Sequence, residues 1–271
     1  MCWKKFKWML LFLVVSLWSN AQETKRVISL APSITEIIYE LGVESKLVGC
    51  TSYCTPAVED GVEQVGSTVE VNIEKIFSLK PDLVLAMELT KPQDLAAMRK
   101  LGMNVILLKT PVSFKEICDQ ALQIGELTGN SAKAKKIIIE ITHKVDSLKK
   151  YNSNLNKSEF FFQLGANPVF TVLEGTFMND FITFCNGENI AAGLKHGTIT
   201  RESVLVKNPD IIIIATMGGF GEEEMKVWNS YKGIEAVKKG KVFLVDSETS
   251  CVPTPGNFLK ALTDITNNIN R

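Results

Sequence analysis

The chain has 271 residues, 30 basic and 30 acidic side chains, and only two histidines, His143 and His196. The balanced charge offers no basic surplus for a nucleic-acid partner. The two histidines lie too far apart to share a metal, and the length suits one large domain or two of ordinary size.

Residues 1–21 read as an export signal. Lys4, Lys5 and Lys7 precede an apolar stretch from Met9 to Leu17, and Ser19-Asn20-Ala21 has the small-x-small form of a cleavage site. The stretch is too short for an ordinary membrane span, so cleavage before Gln22 and a periplasmic location are expected. Cleavage removes three of the 30 basic residues and none of the acidic ones, leaving a formal charge of −3. Cys2 precedes the apolar stretch, whereas a lipid-attachment cysteine follows it.

After the signal, VISLAPSITEIIYELG predicts a strand at Val27 to Leu30, the loop Ala31-Pro32-Ser33, and a helix from Ser33. Glu36 is expected to complete a capping box with Ser33, and Gly42 to close the helix. Leu47 to Gly49 is a second strand. Leu83 to Ala86, apolar throughout, reads as a buried parallel strand. A helix ending at Gly102, a strand over 104–108 and a helix over 113–127 follow. Ser131 to Asn152 has no Gly or Pro and is amphipathic. At 1.5 Å per residue such a helix reaches about 33 Å, roughly the width of a small lobe. It is expected to be a rigid spine.

The second half repeats the order. Phe160 to Leu164 is a strand, Phe177 to Phe184 a helix, Val242 to Val245 a strand, and Asn257 to Asn270 a final helix. The clearest sign of duplication is a phrase that occurs twice: Glu, six residues, Pro-Asp, then an apolar run. Its copies are Glu74 to Pro81-Asp82 and Glu202 to Pro209-Asp210. Alternation of strand and helix favours parallel sheets covered on both faces. The expected fold is α/β, with two Rossmann-like lobes bridged by one long helix and a cleft between them. The lobes are residues 22–130 and 154–271, and the bridge is 131–153.

Five cysteines follow the signal: Cys50, Cys54, Cys118, Cys185 and Cys251. An odd number leaves at least one unpaired within the chain. Cys118 stands at an apolar helical position, as a core thiol does. Cys185 and Cys251 are candidates for a disulfide. Cys50 and Cys54 lack the second Cys or His pair of a zinc site, and no base is visible to activate Cys54 as a nucleophile.

No nucleophile elbow, Walker loop or dinucleotide fingerprint is present; Gly218-Gly219-Phe220-Gly221 matches the last only loosely. The loops after the strands carry the better signal, because open α/β sheets bind ligands beyond the strands' carboxyl ends. There the candidates are Ser33, Tyr53 and Met87 in the first lobe and Phe170, His196 and Glu248 in the second. Glu74 and Glu202 suit helix first turns on dipole grounds alone. Their matched spacing adds a pair of negative points that a two-fold symmetric partner can meet.

SLAPSITEIIYELG, LVGCTSYC, NIEKIFSLKPDLVLA, FCNGENI and ITRESVLVKNPDIIII together resemble the periplasmic substrate-binding proteins of ABC importers for cobalamin, iron-siderophores and haem. The likeness covers nearly all of the chain after the signal and is nearest to the cobalamin binders. It implies a monomeric binding protein without catalysis or an intrinsic cofactor. Such a protein holds a corrinoid, haem or ferric chelate between its lobes and hands it to a permease dimer in the membrane. Glu74 and Glu202 match the family's docking glutamates. Tyr53, Phe170 and Ser33 match contacts to the ligand. Thr68, Met87 and His196 stand where cobalamin binders carry tryptophans, which leaves room for another corrinoid, or for haem with His196 as axial ligand. The family disulfide is half matched: Cys185 aligns, but the last helix has no Cys. A metal-dependent, chelatase-like enzyme on a similar frame is the alternative from another class.

Overall fold

The structure, a computed structural model, describes residues 24–215 and 219–271. The expected signal, residues 1–21, lies outside them, as does Gly218 of the glycine-rich segment. The first half gives β1 (Val27–Ser29), α1 (Pro32–Glu40), β2 (Leu47–Cys50), α2 (Thr55–Glu59), α3 (Ile73–Ser78), β3 (Leu83–Met87), α4 (Pro92–Lys100), β4 (Val105–Leu108) and α5 (Phe114–Leu127). Its strands pair in parallel in the order β2-β1-β3-β4. α6 (Ser131–Asn152) follows as one unbroken helix.

The second half gives β5 (Ser158–Ala166), β6 (Val169–Thr171), α7 (Asn179–Phe184), β7 (Gly187–Asn189), α8 (Arg201–Lys207), β8 (Ile211–Ala215), α9 (Gly221–Ser230), α10 (Glu235–Lys238), β9 (Val242–Val245), α11 (Ser247–Ser250) and α12 (Pro255–Ile269). β5 pairs in parallel with β8, and β8 with β9. The far edge of β5 is shared: β7 runs parallel to its start, and β6 folds back antiparallel on its end. The strand expected to stop at Leu164 therefore runs on to Ala166. The Asn167-Pro168 turn, joined by a cis peptide bond, closes a hairpin between β5 and β6.

The two Glu–Pro-Asp phrases fold alike. Each glutamate is the second residue of its helix, behind a capping side chain. Asn72 accepts from Lys75 N–H at 2.9 Å, and Thr200 accepts from Ser203 N–H at 3.2 Å. Each helix ends on a left-handed residue before the proline, Lys80 (φ 46°) and Asn208 (φ 50°). Each aspartate then grips the start of its lobe's first strand. Asp82 accepts Arg26 N–H and Asp210 accepts Glu159 N–H, both at 2.9 Å. Pro-Asp is thus the clamp that sets the register of the central strand pair in both lobes.

Alternation along the buried strands sorts the core. Val84 and Ala86 face an outer cluster in the first lobe, and Ile212 and Ile214 face one in the second. Leu83, Leu85 and Met87 face inward, as do Ile211, Ile213 and Ala215, and all six belong to one cluster that runs through both lobes. Helices α1, α5, α6, α7 and α12 fill it. Phe258 of α12 stacks on Phe181 (4.5 Å between ring centres) and meets Phe114 of α5 at 4.6 Å. α5 and α6 approach closely at Gly125, where an added Cβ would meet the Ala134 methyl at 2.5 Å.

The candidate pairing of Cys185 with Cys251 is not formed, and both are free thiols. Cys185 is buried against α12, where its Sγ lies 4.0 Å from Thr266 Oγ1 and 3.6 Å from Asn152 Nδ2. Thr266 thus occupies the place on the last helix where a cysteine could reach it.

Phe258→Ala is expected to destabilise the protein by about 3–5 kcal/mol, as full truncation of a buried ring does. Val206→Ala, at a position 85% exposed, is expected to stay within about 0.5 kcal/mol. Urea unfolding of both variants checks the contrast.

Candidate functional site

The carboxyl ends of the first sheet open on an apolar hollow. α1 starts directly after β1 from Ala31, which has no side-chain cap, so Ser33 lies inside the first turn and is 6% exposed. Glu36 therefore does not close a capping box with it. Met87 ends β3, and its neighbours in sequence, Glu88 and Leu89, turn out to solvent. Ser33, Met87, Leu89 and Thr68 line one side of a cavity of about 230 Å³, and Cys251, Val252 and Pro253 of the second half line the other. This is the inter-lobe cleft floor. Larger hollows exist elsewhere; those of about 450 and 470 Å³ each lie within one half and are lined largely by polar and charged side chains.

Among the exposed apolar side chains, Tyr53 and Leu89 are each 68% exposed and Phe170 44%. Of these, Leu89 lines the cavity. It was not singled out from sequence; its place just after the apolar strand β3 was the only available signal.

Phe170 and His196 are brought together. Thr171 donates to Gly197 O at 2.8 Å, and Phe170 bridges Thr198. Gly197 lets the Phe170 ring lie close, since an added Cβ would stand 2.4 Å from it and displace it. His196, next in sequence, is exposed. Glu248, in α11, is exposed too, and its carbonyl accepts from Asn257 Nδ2 at 3.2 Å.

The Cys251–Pro253 strip is held by carboxylates of the opposite lobe. Glu40 of α1 accepts the Thr254 hydroxyl and the Gly256 N–H, the latter at 3.1 Å, at the start of α12. Glu36 accepts from Asn257 Nδ2. An anion at a long helix's amino end is favoured by the dipole. Burial pushes the Glu36 carboxyl up to about 7; the hydrogen bond from Asn257 opposes this, while Glu40, Glu248 and Cys54 add to it. Burial likewise raises Glu40, against its hydrogen bonds to Thr254, Gly256 and Asn257.

Glu74 and Glu202 are both exposed, each in the first turn of a helix that leads into its lobe's central strand. The residue before each differs. Ile73 packs on the outer apolar cluster of its lobe. Arg201 instead pairs with the buried Glu224, its Nη2 lying 2.6 Å from each carboxylate oxygen, and its guanidinium lies over the Trp228 ring at 5.0 Å. Gln163 donates to Glu224 at 2.7 Å and accepts from the Trp228 indole at 2.6 Å. This network fixes the first turn that presents Glu202.

A periplasmic binding protein family model matches residues 27–249, so the chain belongs to the periplasmic binding protein family. The family is one of substrate-binding transport proteins rather than enzymes. The chain is 32% identical to an uncharacterised ABC transporter substrate-binding lipoprotein of Bacillus subtilis, over 84% of its own length and 74% of that protein's. The solved periplasmic vitamin B12-binding protein of Vibrio cholerae superposes with a TM-score of 0.78 at 27% identity, covering 92% of this chain and 97% of that one. A possible iron-binding periplasmic solute-binding protein of Staphylococcus epidermidis superposes with a TM-score of 0.80 at 30% identity, covering 92% and 100%.

The raised Glu36 fixes the sign of a pH effect. A group protonated more readily in the folded state contributes stability that is complete below its ordinary value of 4.5 and lost as pH rises through about 7. Stability is therefore expected to fall between those limits. Glu36→Gln should flatten the profile and leave the weaker same-signed slopes of Glu40 and Asp180, which burial also raises. Urea titrations at stepped pH decide it; an unchanged slope in the variant rejects Glu36 as the source.

Proposed function

We propose that this chain is the extracytoplasmic solute-binding component of an ABC importer, and that it captures a corrinoid in the inter-lobe cleft. In this reading residues 22–130 and 154–271 are the gripping lobes and 131–153 the rod between them. The observation that carries it is the cleft itself, with an apolar floor shared by both halves. Met87 and Leu89 offer soft contacts to a macrocycle face, Tyr53 and Phe170 offer flat ones, and Ser33 leaves room for close approach. Such a surface suits a large ligand with an apolar face better than a small, strongly anionic chelate. Binding needs no bond chemistry: the lobes desolvate the ligand and hold it.

Delivery follows from the duplicated helices. Glu74 and Glu202 sit at equivalent places in the two lobes, so two basic patches related by a permease's two-fold axis can each receive one. Pairing of rim charges steers and orders docking rather than tightening the ligand. Spreading of the lobes by the permease then opens the cleft. The continuous inner core gives the free protein little freedom to open by itself.

The exposed imidazole of His196 beside Phe170 supports a second reading, haem held through that nitrogen. Calorimetry against corrinoids, haem and ferric siderophores separates the two, with the corrinoid expected to bind and each of the others an alternative outcome. In the presence of haem, His196→Ala is expected to shift the visible spectrum if the ring ligates iron, and to leave it unchanged if it does not.

Reversal of both rim charges, Glu74→Lys with Glu202→Lys, is expected to abolish uptake in cells while the ligand Kd of the purified protein stays within about twofold. Undiminished uptake rejects the docking assignment.

A further inference from the structure

A polar side chain stands directly behind the apolar floor of the cleft. Gln120 of α5 and Met87, the last residue of β3, are each 6% exposed. The Gln120 amide nitrogen has two hydrogens and two acceptors. Nε2 donates to Lys109 O, just past β4, at 2.8 Å. It also lies 3.8 Å from Met87 Sδ, within reach of the weak hydrogen bond that a thioether accepts. β3 and β4 are neighbours here, with Met87 opposite Leu108. Glu88 adds a second tie between their ends, accepting Thr110 N–H at 3.1 Å.

The oxygen of the same amide is left over. Gln120 Oε1 is buried and has no hydrogen-bond partner among the described residues. A buried carbonyl in that condition is costly, and a leucine of similar size would fill the place without the cost. Stability alone is therefore a poor reason for a glutamine here. What its nitrogen holds is a better one.

Space on both sides of Met87 gives the contact a task. In front lies the cavity of about 230 Å³ that Met87 lines. Behind, Gln120 lines the outer hollow of about 470 Å³ with Leu107, Leu108 and Lys109. The Met87–Gln120 pair stands between the two. Methionine is unbranched and has three rotatable bonds, so it settles into whatever gap is offered. A thioether placed between two hollows keeps one position only if something holds it.

We infer that Gln120 is a positioning residue of the ligand site: it draws the Met87 sulfur toward α5 and sets the methionine's terminal methyl as a fixed part of the cleft floor. This role rests on the reading of the cleft as the ligand site, and it deepens that reading by naming how the floor meets its ligand. The contact is a methyl. A macrocycle is met on its apolar face, and its metal receives no sulfur from the floor. A long side chain ordered before the ligand arrives no longer has to be ordered by it, and the gain falls on the off-rate.

Two measurements test the role. The first uses the unliganded protein, isotope-labelled at its methionine ε-methyls, and follows methyl relaxation by NMR. The Met87 signal, assigned with Met87→Leu, is expected to show a restricted methyl axis in the wild type. A freely averaging Met87 methyl in the wild type overturns the proposal, whatever the variants do. In Gln120→Leu the restriction is expected to be lost at Met87 and kept at Met98, which lies in the outer cluster. An unmoved Met87 order parameter also overturns the proposal.

The second measurement is cyanocobalamin dissociation by stopped flow. Gln120→Leu is expected to speed it by about two- to tenfold, and to leave it unchanged when Met87 is already leucine, because no sulfur is then left to hold. Equal acceleration in both backgrounds makes Gln120 an ordinary packing residue and overturns its positioning role. Failure of the wild type to bind cyanocobalamin counts against the corrinoid reading instead, and methyl relaxation then decides the role of Gln120 by itself.

Discussion

Phe258 holds the molecule together as one body. Its ring lies between Phe181 of the second half and Phe114 of the first, and the cluster around it is continuous with the inward faces of both sheets. Two sheets that share a core cannot separate without exposing it. At roughly 25 cal/mol per Å² of apolar surface, even partial opening through this cluster is expensive. The gap beyond the strands is therefore expected to keep a nearly fixed width, so that in the proposed reading the ligand meets a preformed surface. The hydrogen bond from Phe114 N–H to Asp180, at 2.7 Å, ties the same junction with a polar contact.

The carboxylates of α1 carry this constraint to the edge of the cleft. Glu36 and Glu40 reach across to the beginning of α12, the helix that presents Phe258. The strip that closes the cleft floor, Cys251 to Pro253, lies just ahead of that helix. Floor, latch and aromatic lock are thus successive parts of one segment. A carboxylate with a raised proton affinity is an uneasy latch: it accepts hydrogen bonds best when charged, yet burial favours its neutral form. That tension is expected to make the junction sensitive to pH.

Much of this was legible in the sequence because it is local. Apolar runs at Leu83 and Ile211 are buried strands since both faces are covered, and the long Gly- and Pro-free stretch from Ser131 is one helix. The two Glu–Pro-Asp phrases share a clamp, a left-handed turn and a capped helix, so their repetition in sequence became repetition in space. What escaped was set by distant partners. Glu36 looked like a capping residue of its own helix, but its hydrogen bond is to Asn257, 221 positions away. β7, Gly187-Glu188-Asn189, has no strand-like composition and exists because the edge of β5 is free to pair with it. Leu89 reads as an ordinary apolar residue, and only its exposure and its place at the cavity separate it from the core.

The halves differ where their roles require it. In the first, Ile73 simply packs beneath the helix that carries Glu74. In the second, the same position is Arg201, held by Glu224, Gln163 and Trp228. A buried ion pair is a poor source of net stability beside a well-packed isoleucine, so its presence is better understood through geometry. Glu224 lies in α9, which follows the loop at the carboxyl end of β8, and Arg201 immediately precedes Glu202. The network ties Arg201, the residue before Glu202, to the body of the second lobe through hydrogen bonds of 2.6–2.7 Å. The helix that carries Glu74 has an exposed ion pair instead, Lys75 with Glu63, beside the apolar seat of Ile73. In the proposed docking, the two carboxylates therefore stand on unlike footings, a softer one in the first lobe and a more rigid one in the second.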